Sequence, residues 1–330
     1  MIKIAVDIQG ADNGAPLLID GVIKALRDNR DLYVYLCGDK TVLTAALGGM
    51  AYDESRLLIV DAPQTITNDE KPIAAVTSKK DSSLVKGITL CKTDHDVGAF
   101  VTCGATGAVL IAAMMNLEKL VKSPTLICAL RKPNGVPFCI ADCGANVDCR
   151  PERVEDFARI GAAYMKTVGV IEPRIALLSN GAEDEKGNKF TKQANELLTK
   201  SGLNFVGNVE GTDVLTDSGG DVIVCDGFSG NVLLKTIEGS AKAAINQTRD
   251  LLKNAEITGE NKAMLEKILD TVYREYDYTT QGGALLLGFK TPIVKGHGAA
   301  TAETVYHIIE NAYALAKNGL VKKIQNEFGM

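Results

Sequence analysis

Short apolar runs alternate with longer amphipathic stretches from one end of this 330-residue chain to the other. The apolar runs fit buried strands, and the amphipathic stretches fit helices. Alternation at this spacing predicts an α/β fold, a doubly wound, mostly parallel sheet with helices on both faces in three layers (α/β/α). The predicted strands are 3–6, 33–37, 57–60, 99–102, 125–130, 136–141, 174–178, 204–207, 222–225 and 292–294. The predicted helices are 17–27, 82–93, 106–121, 152–167, 189–201, 231–254, 262–275 and 302–318.

The chain carries no internal repeat, low-complexity segment or linker rich in proline and serine. We therefore expect residues 1–330 to form a single α/β domain, in one or two lobes. The most polar stretch, 253–262, interrupts two helical patterns and predicts an exposed helical hairpin tip near 245–275. Ser201-Gly202 and Asn318-Gly319 predict helix ends, because glycine adopts the left-handed conformation readily.

Charge and composition argue against several classes of function. The formal net charge is −5 and only 5% of residues are aromatic, so neither electrostatics nor base stacking favours nucleic acid. The eight cysteines form no CxxC pair, which favours buried, reduced thiols and offers no metal-ligand spacing. No signal peptide or membrane-spanning stretch is recognisable. We therefore expect a cytoplasmic protein without a bound metal.

Turns of small residues follow several of the predicted strands. Three of them are D-C-G-A-N-V-D at 142–148, G-N-V-E-G at 207–211 and C-D-G-F-S-G-N at 225–231. In α/β proteins such turns expose backbone N–H groups at the carboxyl ends of strands, where phosphates and other ligands bind. Several such turns in one chain indicate a substrate that bears phosphate or develops an oxyanion.

These turns, together with further segments, resemble the motifs of the PlsX family of phosphate acyltransferases, and they follow in the same order along nearly the whole chain. The further matches are K-G-N at 186–188 with Thr191-Lys192, the continuation of 226–231 to residue 239, G-G-A-L-L-L-G at 282–288, Lys290, and G-H-G at 296–298. The resemblance implies a bacterial enzyme that makes acyl-phosphate from acyl-(acyl carrier protein) and inorganic phosphate for phospholipid synthesis. It also implies a fold similar to isocitrate dehydrogenase and phosphotransacetylase, a homodimer, and no cofactor, with inorganic phosphate as a substrate.

Two ligand loops depart from the family pattern. The family's D-A-M-G-G-D-H-A-P reads D-I-Q-G-A-D-N-G-A-P at 7–16, so the histidine is replaced and one residue is inserted. The family's S-A-G-N-T-G-A reads T-C-G-A-T-G-A at 102–108, which puts Ala105 in place of an asparagine. Such changes can weaken or redirect activity, so two alternatives stay open: a related enzyme that uses a short acyl-CoA, and a non-catalytic paralogue that binds phosphate or acyl groups. A dehydrogenase is disfavoured, because no G-x-G-x-x-G follows the first predicted strand.

Attack of phosphate on a thioester needs cations and N–H donors rather than a covalent enzyme intermediate. Through the resemblance, the expected catalytic residues are Lys186 for phosphate or transition-state charge, Asn231 for the thioester oxygen, and His297 for the thiolate or phosphate. The alternatives are a helix cap for Asn231 and a loop-fixing hydrogen bond for His297. The expected substrate- and phosphate-binding residues are Asn146, Asp148, Thr106, Gly107, Asn188, Asn208 and Gly230. An Asx-type turn that only fixes the loop is the alternative for Asn146 and Asp148.

Acyl carrier protein, the implied partner, is acidic, so its docking surface should be basic. The expected cluster is Arg150, Arg153, Lys186, Lys189 and Lys192, and a solvated helix face is the alternative. Members of the family are expected to touch the membrane through an apolar tip helix. Segment 253–267 of this chain is rich in charge and poor in large apolar residues, so we expect weak membrane association or none.

Overall fold

A computed structural model describes residues 1–254, 257–276 and 282–330. Its strands are β1 (Ile2–Asp7), β2 (Leu32–Gly38), β3 (Leu57–Asp61), β4 (Val97–Thr102), β5 (Thr125–Arg131), β6 (Pro137–Ala141), β7 (Ile175–Leu178), β8 (Phe205–Val209), β9 (Val222–Val224), β10 (Ala284–Leu287) and β11 (Ile293–Lys295). Its α-helices are α1 (Ala15–Asp28), α2 (Lys40–Leu47), α3 (Pro72–Ser78), α4 (Ser83–Thr93), α5 (Thr106–Asn116), α6 (Arg153–Thr167), α7 (Lys189–Lys200), α8 (Gly227–Asn254), α9 (Gly259–Tyr276), α10 (Ala302–Lys317) and α11 (Leu320–Glu327).

The chain divides into two compact units, and the first comprises Met1–Leu126, Lys166–Val170 and Gly282–Met330. Its strands lie in the order β3-β2-β1-β4-β11-β10. All neighbouring pairs are parallel except β10 with β11, which is antiparallel. Helices α1 and α10 pack on each other, and α4 packs with α5 and against β1, β2 and β4. The parallel strands bring their carboxyl ends, and the loops that follow them, to one edge of this unit.

The second unit comprises Ile127–Met165 and Ile171–Gln281. Its strands lie in the order β5-β6-β9-β7-β8, with β6, β9, β7 and β8 parallel and β5 antiparallel to β6. Helix α7 packs on β7 and β8, and α8 packs on β6. Helices α8 and α9 form a hairpin in which Arg249 pairs with Glu266 (3.1 Å) and Asp270. The parallel strands of this unit also gather their carboxyl ends at one edge.

Burial explains why the strands were recognisable in the sequence. Ile4, Ala5 and Val6 of β1 are fully buried, as are Val222, Ile223 and Val224 of β9. Parallel strands covered on both faces need apolar side chains at successive positions, and they therefore appear as continuous apolar runs. Each of the ten predicted strands coincides with an observed one, and the predicted α/β class with a mostly parallel sheet and flanking helices is confirmed.

Several predicted boundaries were wrong, and four elements were missed. Helix α5 ends at Asn116 instead of 121, because the backbone N–H groups of Leu120 and Val121 donate to Gly288 O instead. Helices α2, α3 and α11 are seven or eight residues long, too short for a clear helical period. Strand β10 lies inside the G-G-A-L-L-L-G segment, where a four-residue apolar run also fits a buried helix. Both predicted helix ends are confirmed by left-handed glycines, with φ of 73° at Gly202 and 68° at Gly319.

The predicted hairpin tip near 245–275 covers the end of α8 and most of α9, with residues 257 and 258 between the helices, and residues 255 and 256 lie outside the described residues. The expectation of few large apolar residues concerned 253–267, and α9 continues beyond that segment to Tyr276. Met264, Ile268 and Val272 are 65%, 45% and 38% exposed and recur every four residues. Charged residues separate them in the sequence, and only the helical period brings them onto one face. None of the described helices is long and apolar enough to cross a bilayer.

Candidate active site

Seven of the ten predicted site residues lie in the second unit. They belong to the loops or helix starts that follow β6, β9 and β7, or to the end of β8, and hence to the carboxyl edge of the parallel strands. The residues are Asn146, Asp148, Lys186, Asn188, Asn208, Gly230 and Asn231. The other three, Thr106, Gly107 and His297, lie at the corresponding edge of the first unit, after β4 and β11.

The loop after β6 is organised by the side chain of Asp142, which is fully buried. Asp142 Oδ1 accepts a hydrogen bond from the Ala145 N–H (3.2 Å), and Oδ2 accepts from the backbone N–H and Nδ2 (3.2 Å) of Asn146. The Asn146 amide thus contributes to an Asx-type turn. Asp148 is exposed and makes no hydrogen bond or ion pair within the described part of the chain, so its carboxylate can meet a ligand. Asp142 was not among the predicted site residues, although its position in the motif was a signal.

Helix α8 begins against this loop, four residues earlier than predicted. Asp226 accepts from the Ser229 N–H and Oγ (both 2.8 Å) and so completes the first turn. A Cβ atom on Gly230 would lie 2.0 Å from Asp142 O, so only glycine allows this approach. Asn231 therefore stands in the second turn and is exposed, and it does not open or cap the helix. The alternative role of Asn231 as a helix cap was wrong, because Asp226 and Ser229 already complete the first turn.

Lys186 lies in the loop between β7 and α7, two residues before the helix cap rather than in the helix. Its aliphatic stem covers Gly181, where a Cβ atom would be only 2.5 Å from Lys186 Cγ. Its ammonium group is exposed and makes no hydrogen bond or ion pair with any described residue. Lys186 thus has a packed aliphatic stem and an exposed ammonium group that an anionic ligand can reach.

Three asparagines hold the Lys186 loop in place. Asn208 Nδ2 donates to Glu183 O (2.8 Å), and Asn208 Oδ1 accepts from Asn195 Nδ2 (3.1 Å). Asn188 Oδ1 accepts from the Thr191 N–H (2.9 Å) and caps α7. Asn188 and Asn208 therefore position the loop that carries Lys186. Asn195, which is buried on α7, was not among the predicted site residues, and its only signal in the sequence was a polar residue on an apolar helix face.

The first unit has its own buried carboxylate at the carboxyl edge of β1. Asp7 accepts hydrogen bonds from Thr102 Oγ1 (2.9 Å), the Gln9 N–H (3.1 Å) and the Gly10 N–H (3.3 Å). Burial raises the pKa of Asp7, and these hydrogen bonds lower it in part. Asp7 thereby joins the loop after β1 to the end of β4, in the region where this chain departs from the family pattern.

The altered residues of the first loop make hydrogen bonds of their own. Gln9 Nε2 donates to Thr65 Oγ1 (2.7 Å), and Gln9 Oε1 accepts from the Asp39 N–H. Asn13 Nδ2 donates to Ala300 O (2.8 Å). These contacts tie the loop after β1 to those after β2, β3 and β11. The departures from the family pattern therefore leave an ordered loop.

His297 and the start of α5 also lie at this edge of the first unit. His297 is exposed, and its Nδ1 accepts from the Ala299 N–H (3.2 Å), which assigns the ring proton to Nε2. The loop-fixing hydrogen bond considered for His297 is thus present, and Nε2–H is left as an outward donor. Thr106 and Gly107 are the exposed first residues of α5, as predicted, and the capping position at Ala105 has no side-chain acceptor.

The described residues include neither an exposed reactive thiol among the buried cysteines nor a cluster of metal-ligand side chains. All of the cysteines except Cys149 are buried there, as expected from the sequence. Burial raises the thiol pKa of Cys91 and Cys103 to about 12, so these thiols are unreactive at neutral pH. Residues 1–254, 257–276 and 282–330 contain no group of three or more histidine, cysteine or acidic side chains placed to hold a metal ion.

The fold and the loops at the carboxyl edges define the class of protein: an α/β protein with a phosphotransacylase-like fold. A phosphotransacetylase from Streptococcus pyogenes has a TM-score of 0.63 at 16% identity, covering 96% of this chain and 94% of that one. A branched-chain phosphotransacylase from Enterococcus faecalis V583 has a TM-score of 0.60 at 14% identity, covering 96% and 99%. At such low identity these similarities establish the fold alone.

The family described as "Fatty acid synthesis protein" matches residues 2–323, and the chain belongs to it. A phosphate acyltransferase from Clostridium acetobutylicum is 37% identical over 331 residues, 98% of each chain. One from Bacillus subtilis is 36% identical over 330 residues, 99% of this chain and 98% of the relative. The resemblance noted in the sequence and the assignment to the acyltransferases are therefore confirmed.

Proposed function

We propose that this chain transfers an acyl group from acyl-(acyl carrier protein) to inorganic phosphate, for use in phospholipid synthesis. A phosphate oxygen attacks the thioester carbonyl carbon, an oxyanion forms, and the carbon–sulfur bond breaks. The proton of hydrogen phosphate passes to the departing thiolate. The products are acyl-phosphate and the free thiol of the carrier. The protein has to hold the phosphate against the carbonyl and stabilise the oxyanion.

The observation that carries this proposal is the exposed ammonium group of Lys186, which has no hydrogen-bond or ion-pair partner among the described residues and lies in a loop held by neighbouring asparagines. Its stem is fixed against Gly181, and Asn208 bonds the same loop through Glu183 O. The N-terminus of α7 follows directly, where backbone N–H groups and the helix dipole also favour an anion. Lys186 and the start of α7 thus form a suitable place for the phosphate dianion.

We assign the remaining predicted residues either to hydrogen-bond donation to the substrate or to positioning of the loops. Asn231 is exposed in the second turn of α8, and its Cβ atom lies 4.0 Å from the Cβ position at Gly144, so its amide can reach a ligand over the loop after β6. We assign it to the thioester oxygen, with Asn146 and Asp148 shaping that loop. At the carboxyl edge of the first unit, the N–H groups of Thr106 and Gly107 and the Nε2–H of His297 are donors of the kind that suit an anion.

Charge supports acyl carrier protein, which is acidic, as the partner. The five basic residues expected to meet the carrier protein, Arg150, Arg153, Lys186, Lys189 and Lys192, all lie at or just before the starts of α6 and α7, on the edge that carries the site loops. Of these, Arg153 makes a long ion pair with Asp156 (3.9 Å). We further propose that the protein is a cytoplasmic homodimer with weak or no membrane contact and that it needs no cofactor.

The test is hydroxamate trapping of acyl-phosphate with phosphate and either palmitoyl-(acyl carrier protein) or acetyl-CoA. Lys186→Met keeps the stem on Gly181 and removes the charge, and Lys200→Met, at the far end of α7, is the matched control. Product from the long-chain donor, lost in Lys186→Met but not in Lys200→Met, is the expected result. Product from acetyl-CoA alone would show that the acyl donor is a short acyl-CoA and not acyl-(acyl carrier protein). No product from either donor with folded protein would overturn the proposal in favour of a non-catalytic binder.

A further inference from the structure

A cavity of about 730 Å³ lies within the first unit, at the amino ends of its parallel strands. His95 and Thr291, which line it, stand just before β4 and β11, and these two strands are parallel neighbours. The end of α4, the end of α5 with the residues that follow it, and α11 supply most of the other lining. The volume falls within the range of about 300–1,000 Å³ that small-molecule sites have.

The cavity is remote from the candidate active site. In the first unit that site comprises Thr106, Gly107 and His297, which follow the carboxyl ends of β4 and β11. Helix α5 extends from Thr106 at this edge to Asn116 at the cavity, which separates the two by about 15 Å at about 1.5 Å of rise per residue. A molecule in the cavity would therefore be a second ligand, distinct from the substrates at the carboxyl edge.

Four lining side chains have polar groups that are not used within the described part of the chain. They make no hydrogen bond or ion pair with any described residue, and they are Lys92, His95, Thr291 and Gln325. Thr291 is only 5% exposed, and a hydroxyl group that is buried to this degree normally has a hydrogen-bond partner. Because Thr291 lines the cavity, a ligand there would supply this partner.

The charge of the lining favours an anionic ligand. Two ammonium groups, of Lys92 and Lys290, and one carboxylate, of Glu118, give it a formal charge of +1 when His95 is neutral. Glu118 is already paired with Lys290 (2.6 Å), so the charge of Lys92 remains available. Together, an ammonium group, an imidazole N–H and a hydroxyl group suit a phosphoryl group, whose oxygens accept several hydrogen bonds.

An apolar part of the lining favours an organic ligand over a bare ion. Met115, Leu117 and Val321 contribute this part. Inorganic phosphate would leave these side chains in contact with water, whereas the organic part of a phosphate monoester would cover them, which is favourable. The size of the cavity also exceeds what a single phosphate ion needs.

We propose that this cavity is a binding site for an organic phosphate monoester. The phosphate group meets the ammonium group of Lys92 and the hydroxyl group of Thr291, and the organic part lies against Met115 and Val321. The proposal does not depend on the acyl transfer proposed above. An alkyl phosphate and a nucleoside monophosphate both have the required chemistry, and the experiment distinguishes these two sources.

The test is an NMR titration of the full chain, isotope-labelled at the methionine methyl groups. Met115 lines the cavity, and its signal among those of the seven methionines is assigned by its absence in Met115→Leu. The probes are octyl phosphate, AMP and inorganic phosphate. Lys92→Met removes the charge and Thr291→Val the hydroxyl group, each at similar volume. Lys322→Met is the matched control, because Lys322 is exposed on α11 and does not line the cavity.

Octyl phosphate or AMP should shift the Met115 signal, and the tighter of the two identifies the organic part that the site accepts. Inorganic phosphate should bind at least about tenfold more weakly, because it leaves the apolar lining uncovered. Lys92→Met and Thr291→Val should each raise the Kd of the tighter monoester at least about tenfold, since a hydrogen bond to a charged group is lost. Lys322→Met and Lys186→Met should keep the wild-type Kd.

Three results would overturn the proposal. The first is a Met115 signal that neither monoester shifts, or a Kd that is the same in wild type, Lys92→Met and Thr291→Val. The second is inorganic phosphate that binds as tightly as both monoesters, because the organic part would then have no site. The third is loss of the Met115 shift in Lys186→Met, which would assign the ligand to the candidate active site instead of a separate cavity.

Discussion

Lys132 follows β5 and is only 1% exposed, and its Nζ atom has no hydrogen-bond partner among the described residues. Removal from water lowers the pKa of Lys132, Arg174 lowers it further, and Asp221 and Asp217 raise it in part. Asp221 is already satisfied by Arg174, through Nη2 (2.9 Å) and Nε (3.2 Å). A buried ammonium that has no hydrogen-bond partner among the described residues destabilises the fold, and this cost is what lowers the pKa of Lys132.

Lys132→Met should therefore raise the free energy of unfolding by about 1–3 kcal/mol at neutral pH, the penalty of one unsatisfied buried polar group. Methionine preserves most of the volume of the lysine stem, so no large cavity opens. Little attraction is lost, because Asp221 keeps both hydrogen bonds to Arg174. The melting temperature should rise by a few degrees, at about 2–4 °C per kcal/mol for chains of 150–250 residues.

The assay is urea unfolding of wild type, Lys132→Met and the exposed-site control Lys242→Met. The unfolded chain protonates lysine up to about pH 10.4, whereas the folded chain releases this proton at lower pH. Between these two pKa values the unfolded state binds more protons, so the free energy of unfolding of wild type rises with pH. The gain from Lys132→Met should shrink as pH approaches about 10. A destabilised Lys132→Met, or a gain independent of pH, would refute the reasoning.

Three further changes test the local geometry. Gly230→Ala should cost more than about 2 kcal/mol, because its Cβ would lie 2.0 Å from Asp142 O, whereas Gly239→Ala, with open space on the same helix, should stabilise by about 0.5–1 kcal/mol; equal effects in urea unfolding would contradict the close approach. Ala105→Asn should add about 1 kcal/mol by capping α5, and Ala105→Gly should add a few tenths of a kcal/mol less; no gain in Ala105→Asn over wild type would exclude capping. Asn208→Ala should raise the KM for phosphate about fivefold, through loss of about 1 kcal/mol of loop anchoring, with kcat little changed; an unaltered KM would show that the loop holds without it.

The sequence alone determined the fold class, the order of most strands and helices, and the family. These properties depend on local patterns: continuous apolar runs such as β1 and β9, helical periods, and glycines that end α7 and α10. Local patterns persist whatever the rest of the chain does, because strands buried on both faces need apolar side chains at successive positions. The motif residues at the carboxyl ends of strands could be chosen for the same reason.

Only the tertiary structure decided what those residues touch. Asn231 stands in the second turn because α8 begins at Gly227, and the helix there approaches the backbone of Asp142, which is far away in sequence, through Gly230. The anchoring of the Lys186 loop by Asn208, and the cavity at the amino ends of β4 and β11, likewise arise from long-range packing. Hydrogen bonds and cavities form between segments that approach only when the chain is folded. Sequence periodicity therefore indicated the elements, and packing determined the site.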